Sequence, residues 1–494
     1  MLQQLLRTKP VQPAGHIDAG EPFEGSLEGE SHLRRTLTGT QLIMLGIGAV
    51  IGAGIFVITG QAAAEHAGPA IMLSFVLAGI ACAFAGLCYA EFSAMMPVSG
   101  SAYSYSYATL GEGVAWLIGW CLVLEYLFAS AAVAAGWSGY FNAFLGNLGM
   151  SLPTELASAP ITIEQGRVVF TGGLVNLPAV AIIAAISAVG YVGITQSAFV
   201  NNIIVVVKVG VILALIGFGL KYVDTSLWTP FIPEKVIEPD GTTKFGFEGV
   251  TRAAAMVFFA YIGFDAVSTA AGEAKNPQRD MPIGILGSLV ICTVLYIAVC
   301  AVLTGLLPYA QLGTAEPVST ALSAHPQLSW LRIFVEVAAV AGLASVILVM
   351  LMAQPRIFYT MSRDGLMPKV FGKVHPKFRT PHRGTVVVGV LSAILAGLLP
   401  IGLLGEMVSM GTLLAFATVC AGVLVLRRTR PEMERPFRAP LIWLVSPAGV
   451  AACLYLFWQP FKEHWHLFVG WMIIGTVIYL LYGYRHSRLH RSHG

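Results

Sequence analysis

The chain has 494 residues, of which 56% are hydrophobic and 11% charged, and its mean hydropathy is +0.75. Soluble proteins carry about 25% charged residues, so a disordered chain, a disulfide scaffold and an ordinary soluble enzyme are excluded. The net charge of +3 is too small to indicate nucleic acid binding. The composition therefore predicts an integral membrane protein, in which the seven cysteines are interpreted as buried packing residues.

Twelve apolar runs follow one another along the chain, and each is suited to a bilayer-spanning helix of about 20 residues. They lack the alternation of β-barrel strands, so the predicted fold class is an all-α integral membrane protein with twelve transmembrane helices. These runs, called spans 1 to 12, cover residues 39–65, 70–95, 113–145, 177–195, 198–221, 250–273, 283–307, 330–358, 384–403, 406–426, 439–459 and 465–484.

Most Lys and Arg residues fall in alternate connections between the spans, counted from the N-terminus. Because Lys and Arg favour the cytoplasmic side, we expect both termini of this multi-pass membrane protein to be cytoplasmic. The segment 97–111 has three tyrosines and no Lys or Arg. It is interpreted as an inner loop with an interfacial helix near the cytoplasmic gate.

Two spans contain signals for interrupted helices. Span 1 has four glycines between Gly46 and Gly54; each costs a helix up to about 1 kcal/mol, although glycines also allow membrane helices to pack closely. Span 6 places Gly263 and Asp265 near its middle, and Asp265 is suited to cap a second half-helix from Ala266. Interruptions in the first and sixth spans predict an inverted five-plus-five repeat followed by two C-terminal helices.

This repeat divides the chain into five regions. They are an N-terminal cytoplasmic segment (1–36), a first five-helix repeat (37–222), a second, inverted five-helix repeat (223–426), transmembrane helices 11 and 12 (427–484) and a cytoplasmic tail (485–494).

Interrupted helices leave unpaired backbone groups at membrane depth, where such groups line a substrate cavity. The amides around Gly52, Ala53 and Gly54, at the start of a half-helix, suit a carboxylate group. The carbonyls near Phe259, Ala260 and Ile262 suit an ammonium group. A cavity with donors on one wall and acceptors on the other matches a zwitterionic α-amino acid.

Five segments in order resemble the amino acid–polyamine–organocation superfamily of permeases, and its cationic amino acid transporter branch in particular. They are Leu45–Phe56, Pro97–Tyr105, Phe258–Asp265, Glu273–Pro282 and Phe358–Pro368. The resemblance extends over residues 33 to 485. It implies the inverted-repeat, LeuT-like transporter fold, alternating access and amino acid transport across a plasma membrane.

The resemblance also implies where the substrate binds, with its carboxylate on two backbone amides and its ammonium group on four backbone carbonyls. The implied substrate-binding residues are Ala53 and Gly54 for the carboxylate, and Val50, Phe259, Ala260 and Ile262 for the ammonium group. Some relatives carry a hydroxyl residue where this chain has Ala53. The amide contact is unaffected by this difference, but a hydroxyl contact is absent.

Lys208 lies near the middle of span 5, where a lysine costs roughly 2.5–3.5 kcal/mol on insertion scales. One interpretation is a lysine that only ties helices together or reaches towards the membrane surface. In sodium-coupled members of the fold a cation lies between the first and eighth helices, and in proton-coupled relatives a lysine of span 5 takes its place. The resemblance therefore implies that Lys208 couples transport to the proton gradient.

Glu125, in the middle of span 3, is the other deeply placed charge. It is either protonated and structural, or it faces the cavity with Tyr296 of span 7 as a polar wall or proton relay, where it would favour cationic substrates. Asp265 is a further candidate for the wall or gate. Met350 of span 8 is a packing residue by default. By resemblance it faces the cavity, where its bulk would favour small neutral substrates such as alanine over arginine.

The leading hypothesis is a secondary active transporter that couples uptake of small neutral L-amino acids to protons. The alternatives are a uniporter or exchanger for cationic amino acids without obligatory proton coupling, and a membrane amino acid sensor. The sequence has no catalytic motif, so we expect neither an enzyme nor a cofactor or metal site. The expected partners are the amino acid, protons and membrane lipids, without nucleic acid or an obligatory protein partner.

Overall fold

The computed structural model describes residues 5–9, 37–96, 100–150, 152–164, 167–193, 198–237, 243–378 and 380–491. Most of the described residues are helical. The predicted N-terminal segment, 1–36, lies almost entirely outside the described residues, as do residues 97–99 of the predicted inner loop.

The α-helices are numbered here in chain order. Helices α1 to α8 are Gly39–Val50, Thr59–Ala62, Ile71–Met95, Ser101–Thr109, Glu112–Asn147, Thr154–Ala157, Leu177–Val192 and Ala198–Gly219. Helices α9 to α18 are Gly246–Val257, Ala266–Thr269, Pro277–Leu306, Pro317–Ser323, Ser329–Arg363, His382–Leu398, Ile401–Thr429, Ile442–Ile478, Tyr484–His486 and Arg488–Arg491. Short π-helical turns cover Gly54–Ile58, Ala63–Ala67 and Tyr479–Gly483, and 3-10 turns cover Gly68–Ala70, Leu220–Tyr222, Thr225–Trp228, Phe258–Tyr261, Ala271–Glu273, Tyr309–Gln311 and Pro326–Leu328.

Eight helical stretches of the described residues are long and apolar enough to cross a membrane. Three shorter apolar helices, α1, α7 and α14, overlap predicted spans 1, 4 and 9. The stretch Ile442–His486 contains the non-helical residue His464, so the chain bends between predicted spans 11 and 12. The prediction of a helical membrane protein is confirmed, while the twelve-span inverted repeat stays a prediction.

Both helices predicted to be interrupted are interrupted in the structure. Helix α1 ends at Val50, Ile51 is extended, and the chain becomes helical again in the turn Gly54–Ile58. In span 6, α9 continues through a 3-10 turn to Tyr261 and resumes as α10 after Asp265. The glycine-rich stretch and the Gly-Phe-Asp segment therefore mark real changes of backbone conformation.

The two interruptions pack directly against each other. A Cβ added at Gly54 would lie 2.3 Å from the Cα and the Cβ of Ala260, so only glycine permits this approach. Gly263 has a positive φ of 122°, and a Cβ there would lie 2.8 Å from the backbone of Ala49. Glycines thus bring the two irregular backbones together and place their polar groups at one location.

Two short antiparallel hairpins lie in the two longest connections. Strands β1 (Ile161–Glu164) and β2 (Arg167–Phe170) pair between α5 and α7. Strands β3 (Val236–Ile237) and β4 (Thr243–Lys244) pair between α8 and α9. Both hairpins lie in sequence outside the predicted spans.

Candidate substrate site

A small cavity lies between the two interruptions. Its volume, taken as the space open to the centre of a water-sized sphere, is about 10 Å³, which is room for about one water molecule. Because the walls are buried, an amino acid enters only if the surrounding helices move apart. The lining residues are Ala49, Val50, Gly52, Ala53, Gly54, Ala129, Val133, Phe259, Ile262, Val346 and Met350.

The predicted site residues fall into two groups. Those that line the cavity are Val50, Ala53, Gly54, Phe259, Ile262 and Met350. Those that are buried but do not line it are Glu125, Lys208, Ala260, Asp265 and Tyr296. Sequence reasoning missed the lining residues Ala129, Val133 and Val346, although Ala129 lies one helical turn after Glu125 and Val346 one turn before Met350.

The second half of span 1 begins beside the cavity. The amides of Ala53 and Gly54 are in its first turn, where N–H groups have no acceptor within the helix and share the positive end of its dipole. The Gly54 carbonyl accepts a hydrogen bond from the Thr59 hydroxyl at 2.9 Å. The Phe56 carbonyl accepts one from the Tyr140 hydroxyl of α5 at 2.7 Å. These bonds hold the start of the half-helix at the cavity.

The Lys208 side chain is fully buried and binds the first half of span 1, on the opposite side of the interruption from Gly54. Its ammonium group donates hydrogen bonds to the carbonyl oxygens of Gly48 at 3.1 Å and Ile51 at 2.9 Å. These carbonyls lie at the C-terminal end of α1, where carbonyls lack intrahelical donors and carry partial negative charge. A Cβ added at Gly342 of α13 would lie 2.6 Å from Lys208 Cε. Lys208 therefore reaches between spans 1 and 8, the position for which the resemblance implies a cation.

Tyr296 of α11 connects the two interruptions. Its hydroxyl lies 3.0 Å from the carbonyl oxygen of Val50 and 3.0 Å from that of Ala260. The ring is fully buried, at centroid distances of 5.4 Å from Phe75 and 5.7 Å from Tyr261. Both bonded carbonyls belong to the predicted ammonium site.

Asp265 bonds the interruption of span 6 but not as a helix cap. Its carboxylate accepts hydrogen bonds from the Gly263 amide at 3.3 Å and the Tyr126 hydroxyl at 3.4 Å. Helix α10 starts at the next residue, and the Asp265 side chain makes no cap bond to it. The carboxylate therefore holds the turn before the half-helix.

Glu125 is fully buried, and neither of its carboxylate oxygens has a hydrogen-bond partner among the described residues. It lies one turn before Ala129, which lines the cavity. The Tyr296 hydroxyl contacts two backbone carbonyls, and the polar wall or proton relay of Glu125 and Tyr296 stays a prediction.

A buried charge cluster that sequence reasoning missed connects α9 with α15. Arg252 donates to Glu406 at 2.5 Å and to Glu463 at 2.8 Å, and the His464 ring lies 2.9 Å from Glu406. Glu406, Glu463 and His464 are metal-ligand types and lie close together. The Arg252 guanidinium already pairs with both carboxylates, and its positive charge disfavours a metal cation beside it. The only sequence signal was an arginine within an apolar run.

A second missed cluster lies beside the predicted inner loop. Tyr103 of α4 donates a hydrogen bond to Asp364 at 2.8 Å, and Lys9 binds the other carboxylate oxygen at 2.9 Å. Asp364 lies within the segment Phe358–Pro368, which resembles the permease superfamily but carries no sequence signal for this contact. These bonds join the N-terminal residues, α4 and the end of α13.

Comparisons with known proteins show the family to which the chain is related. A family model described as amino acid permease matches residues 37–482. The chain is 47% identical over 459 residues to the methylthioribose transporter of Bacillus subtilis (strain 168), covering 93% of this chain and 95% of the relative. It is 46% identical to the branched-chain amino acid permease BcaP of the same organism, covering 94% and 96%. It is 38% identical to the vacuolar cationic amino acid transporter 4 of Arabidopsis thaliana, covering 82% and 65%.

Proposed function

The chain belongs to the amino acid permease family, and from this premise we propose that it is a proton-coupled transporter of small neutral L-amino acids such as alanine, working by alternating access. The observation that carries the proposal is the cavity between two interrupted helices, with backbone amides on one side and backbone carbonyls on the other. These amides and carbonyls recognise the carboxylate and ammonium groups that all α-amino acids share.

The substrate carboxylate binds the amides of Ala53 and Gly54. These amides are at the N-terminal end of a half-helix, where the dipole favours an anion. The ammonium group binds the carbonyls of Val50 and Ala260, with Phe259 and Ile262 nearby. Because the contacts use backbone groups, they do not depend on the Ala53 side chain.

The cavity wall supports a neutral substrate side chain. The side chains of Ala129, Val133, Val346 and Met350 are apolar and line the cavity, so they offer no partner to a guanidinium or ammonium group. Met350 also limits the length of the substrate. A relative that is 46% identical is named as a branched-chain amino acid permease, which is consistent with an apolar side chain.

Lys208 is the proposed proton carrier. As an ammonium group it binds two carbonyls at the C-terminal end of α1, and loss of the proton removes the charge from both bonds. Protonation therefore changes how firmly the first half of span 1 is held.

The proposed location is the plasma membrane with cytoplasmic termini, although three Arabidopsis relatives are named as vacuolar or mitochondrial.

A second candidate is a cationic amino acid uniporter or exchanger. Glu125 favours it, because this carboxylate has no hydrogen-bond partner among the described residues and lies one turn from the cavity wall. Relatives that are 38% identical are named as cationic amino acid transporters. A sensor on the same scaffold is a third, weaker candidate.

A ligand panel separates these candidates. Purified protein is heated with alanine, valine, leucine, arginine, lysine or methylthioribose, and ligands that bind the folded state raise the apparent Tm. We expect stabilisation by alanine and weaker or no stabilisation by arginine. Stabilisation by arginine alone would support the cationic candidate. Stabilisation by methylthioribose alone would contradict amino acid transport.

A further inference from the structure

The hydroxyl of Tyr296 lies at equal distances, 3.0 Å, from the carbonyl oxygens of Val50 and Ala260. One carbonyl ends the first half of span 1, and the other lies in the interruption of span 6. Tyr296 itself belongs to α11, a third element. A single side-chain group therefore holds the two interruptions together from outside.

A tyrosine hydroxyl has only one proton to donate. It can satisfy one of the two carbonyls at a time, and a buried carbonyl without a donor is unfavourable. An ammonium group has three N–H donors and can bond both carbonyls at once. The pair of carbonyls is therefore better matched to an ammonium group than to the hydroxyl that now bridges them.

The ammonium group and the hydroxyl compete for the same positions. The adjoining cavity has room for about one water molecule. The Tyr296 ring is fully buried between Phe75 and Tyr261, so it cannot swing into solvent. Displacement therefore requires the two irregular backbones to move away from the ring.

We propose that the Tyr296 hydroxyl takes the place of the substrate ammonium group in the empty protein, and that the substrate displaces it. This inference rests on the proposed amino acid transport and goes further, because it makes Tyr296 a positioning residue that selects amines. A ligand without an amino group displaces the Tyr296 hydroxyl but supplies no donor to the carbonyls of Val50 and Ala260. The ammonium group of an amino acid donates hydrogen bonds to both carbonyls, so the Tyr296 hydroxyl no longer connects the two interruptions.

The test compares Tyr296→Phe with wild type by isothermal titration of alanine and of its desamino analogue propionate. Removing the competing hydroxyl should tighten alanine binding about three- to tenfold, from the net value of one hydrogen bond, and leave binding of the analogue unchanged. Tyr261→Phe is the matched control. Its hydroxyl donates to the Phe75 carbonyl at 2.9 Å, so its loss removes a buried bond without freeing either of the two carbonyls.

Two outcomes are kept apart by the wild-type measurement. If folded wild type does not bind alanine, the proposed function fails. If wild type binds and Tyr296→Phe binds equally or more weakly, only the displacement mechanism is overturned. Should Tyr296→Phe not fold, site-specific 3-fluorotyrosine at position 296 keeps the ring and strengthens the hydroxyl donor. It should weaken alanine binding, and unchanged or tighter binding would contradict the inference.

Discussion

At the scale of single residues, the interrupted helices depend on side chains that bind released carbonyls. Lys208 binds two carbonyls at the end of α1, and Tyr296 bridges α1 to the interruption of span 6. A buried carbonyl left without a donor costs about 1–3 kcal/mol. The two side chains therefore stabilise a backbone geometry that a continuous helix would not need.

Lys208→Ala should abolish the stimulation of alanine uptake by an inward proton gradient, because the variant lacks the amine that binds and releases the proton beside the carbonyls of Gly48 and Ile51. The measurement is uptake into proteoliposomes with and without a pH difference. Lys221→Ala is the control, since Lys221 is an exposed lysine just beyond the end of the same helix. Full pH dependence in a folded Lys208→Ala protein would refute the role of Lys208.

At the scale of elements, the Arg252 cluster connects α9, the first half of span 6, to α15. Arg252 and Glu406 are both nearly fully buried, and Glu463 and His464 complete the cluster at the bend of α16. The stability of each buried charge depends on its partner, because a buried charge without a counter-charge has neither water nor an ion pair to offset its desolvation. The cluster therefore anchors a half-helix that adjoins the cavity.

Arg252→Met should destabilise the protein by about 3–5 kcal/mol, because it leaves the Glu406 carboxylate with less compensation. The double variant Arg252→Met/Glu406→Met should recover part of this loss, seen as a partial return of the apparent Tm. Lys235→Ala is the control, because Lys235 and Glu248 form an exposed pair at 2.9 Å, and solvent screening leaves such a pair little effect on stability. Equal effects of Arg252→Met and Lys235→Ala would show that the cluster is not an anchor.

At the scale of the whole molecule, the sequence predicted what depends on local pattern and missed what depends on distant contacts. The helical membrane class and both interruptions follow from apolar runs, glycines and Asp265. The partners of Lys208 and Arg252 lie more than 150 residues away in the chain, and no local pattern specifies them. The partners of the Tyr296 hydroxyl, the carbonyls of Val50 and Ala260, likewise have no local sequence signal.

The central claim is that an amino acid binds where the two interruptions meet, and Gly54→Ala tests it most directly. The added Cβ would lie 2.3 Å from Ala260, whereas Gly217→Ala, in α8, adds a Cβ with no atom within 4 Å. The measurement is the rise in apparent Tm caused by alanine in each variant. We predict that Gly217→Ala keeps the wild-type rise and that folded Gly54→Ala loses it. An undiminished rise in Gly54→Ala would place the substrate elsewhere and contradict the claim.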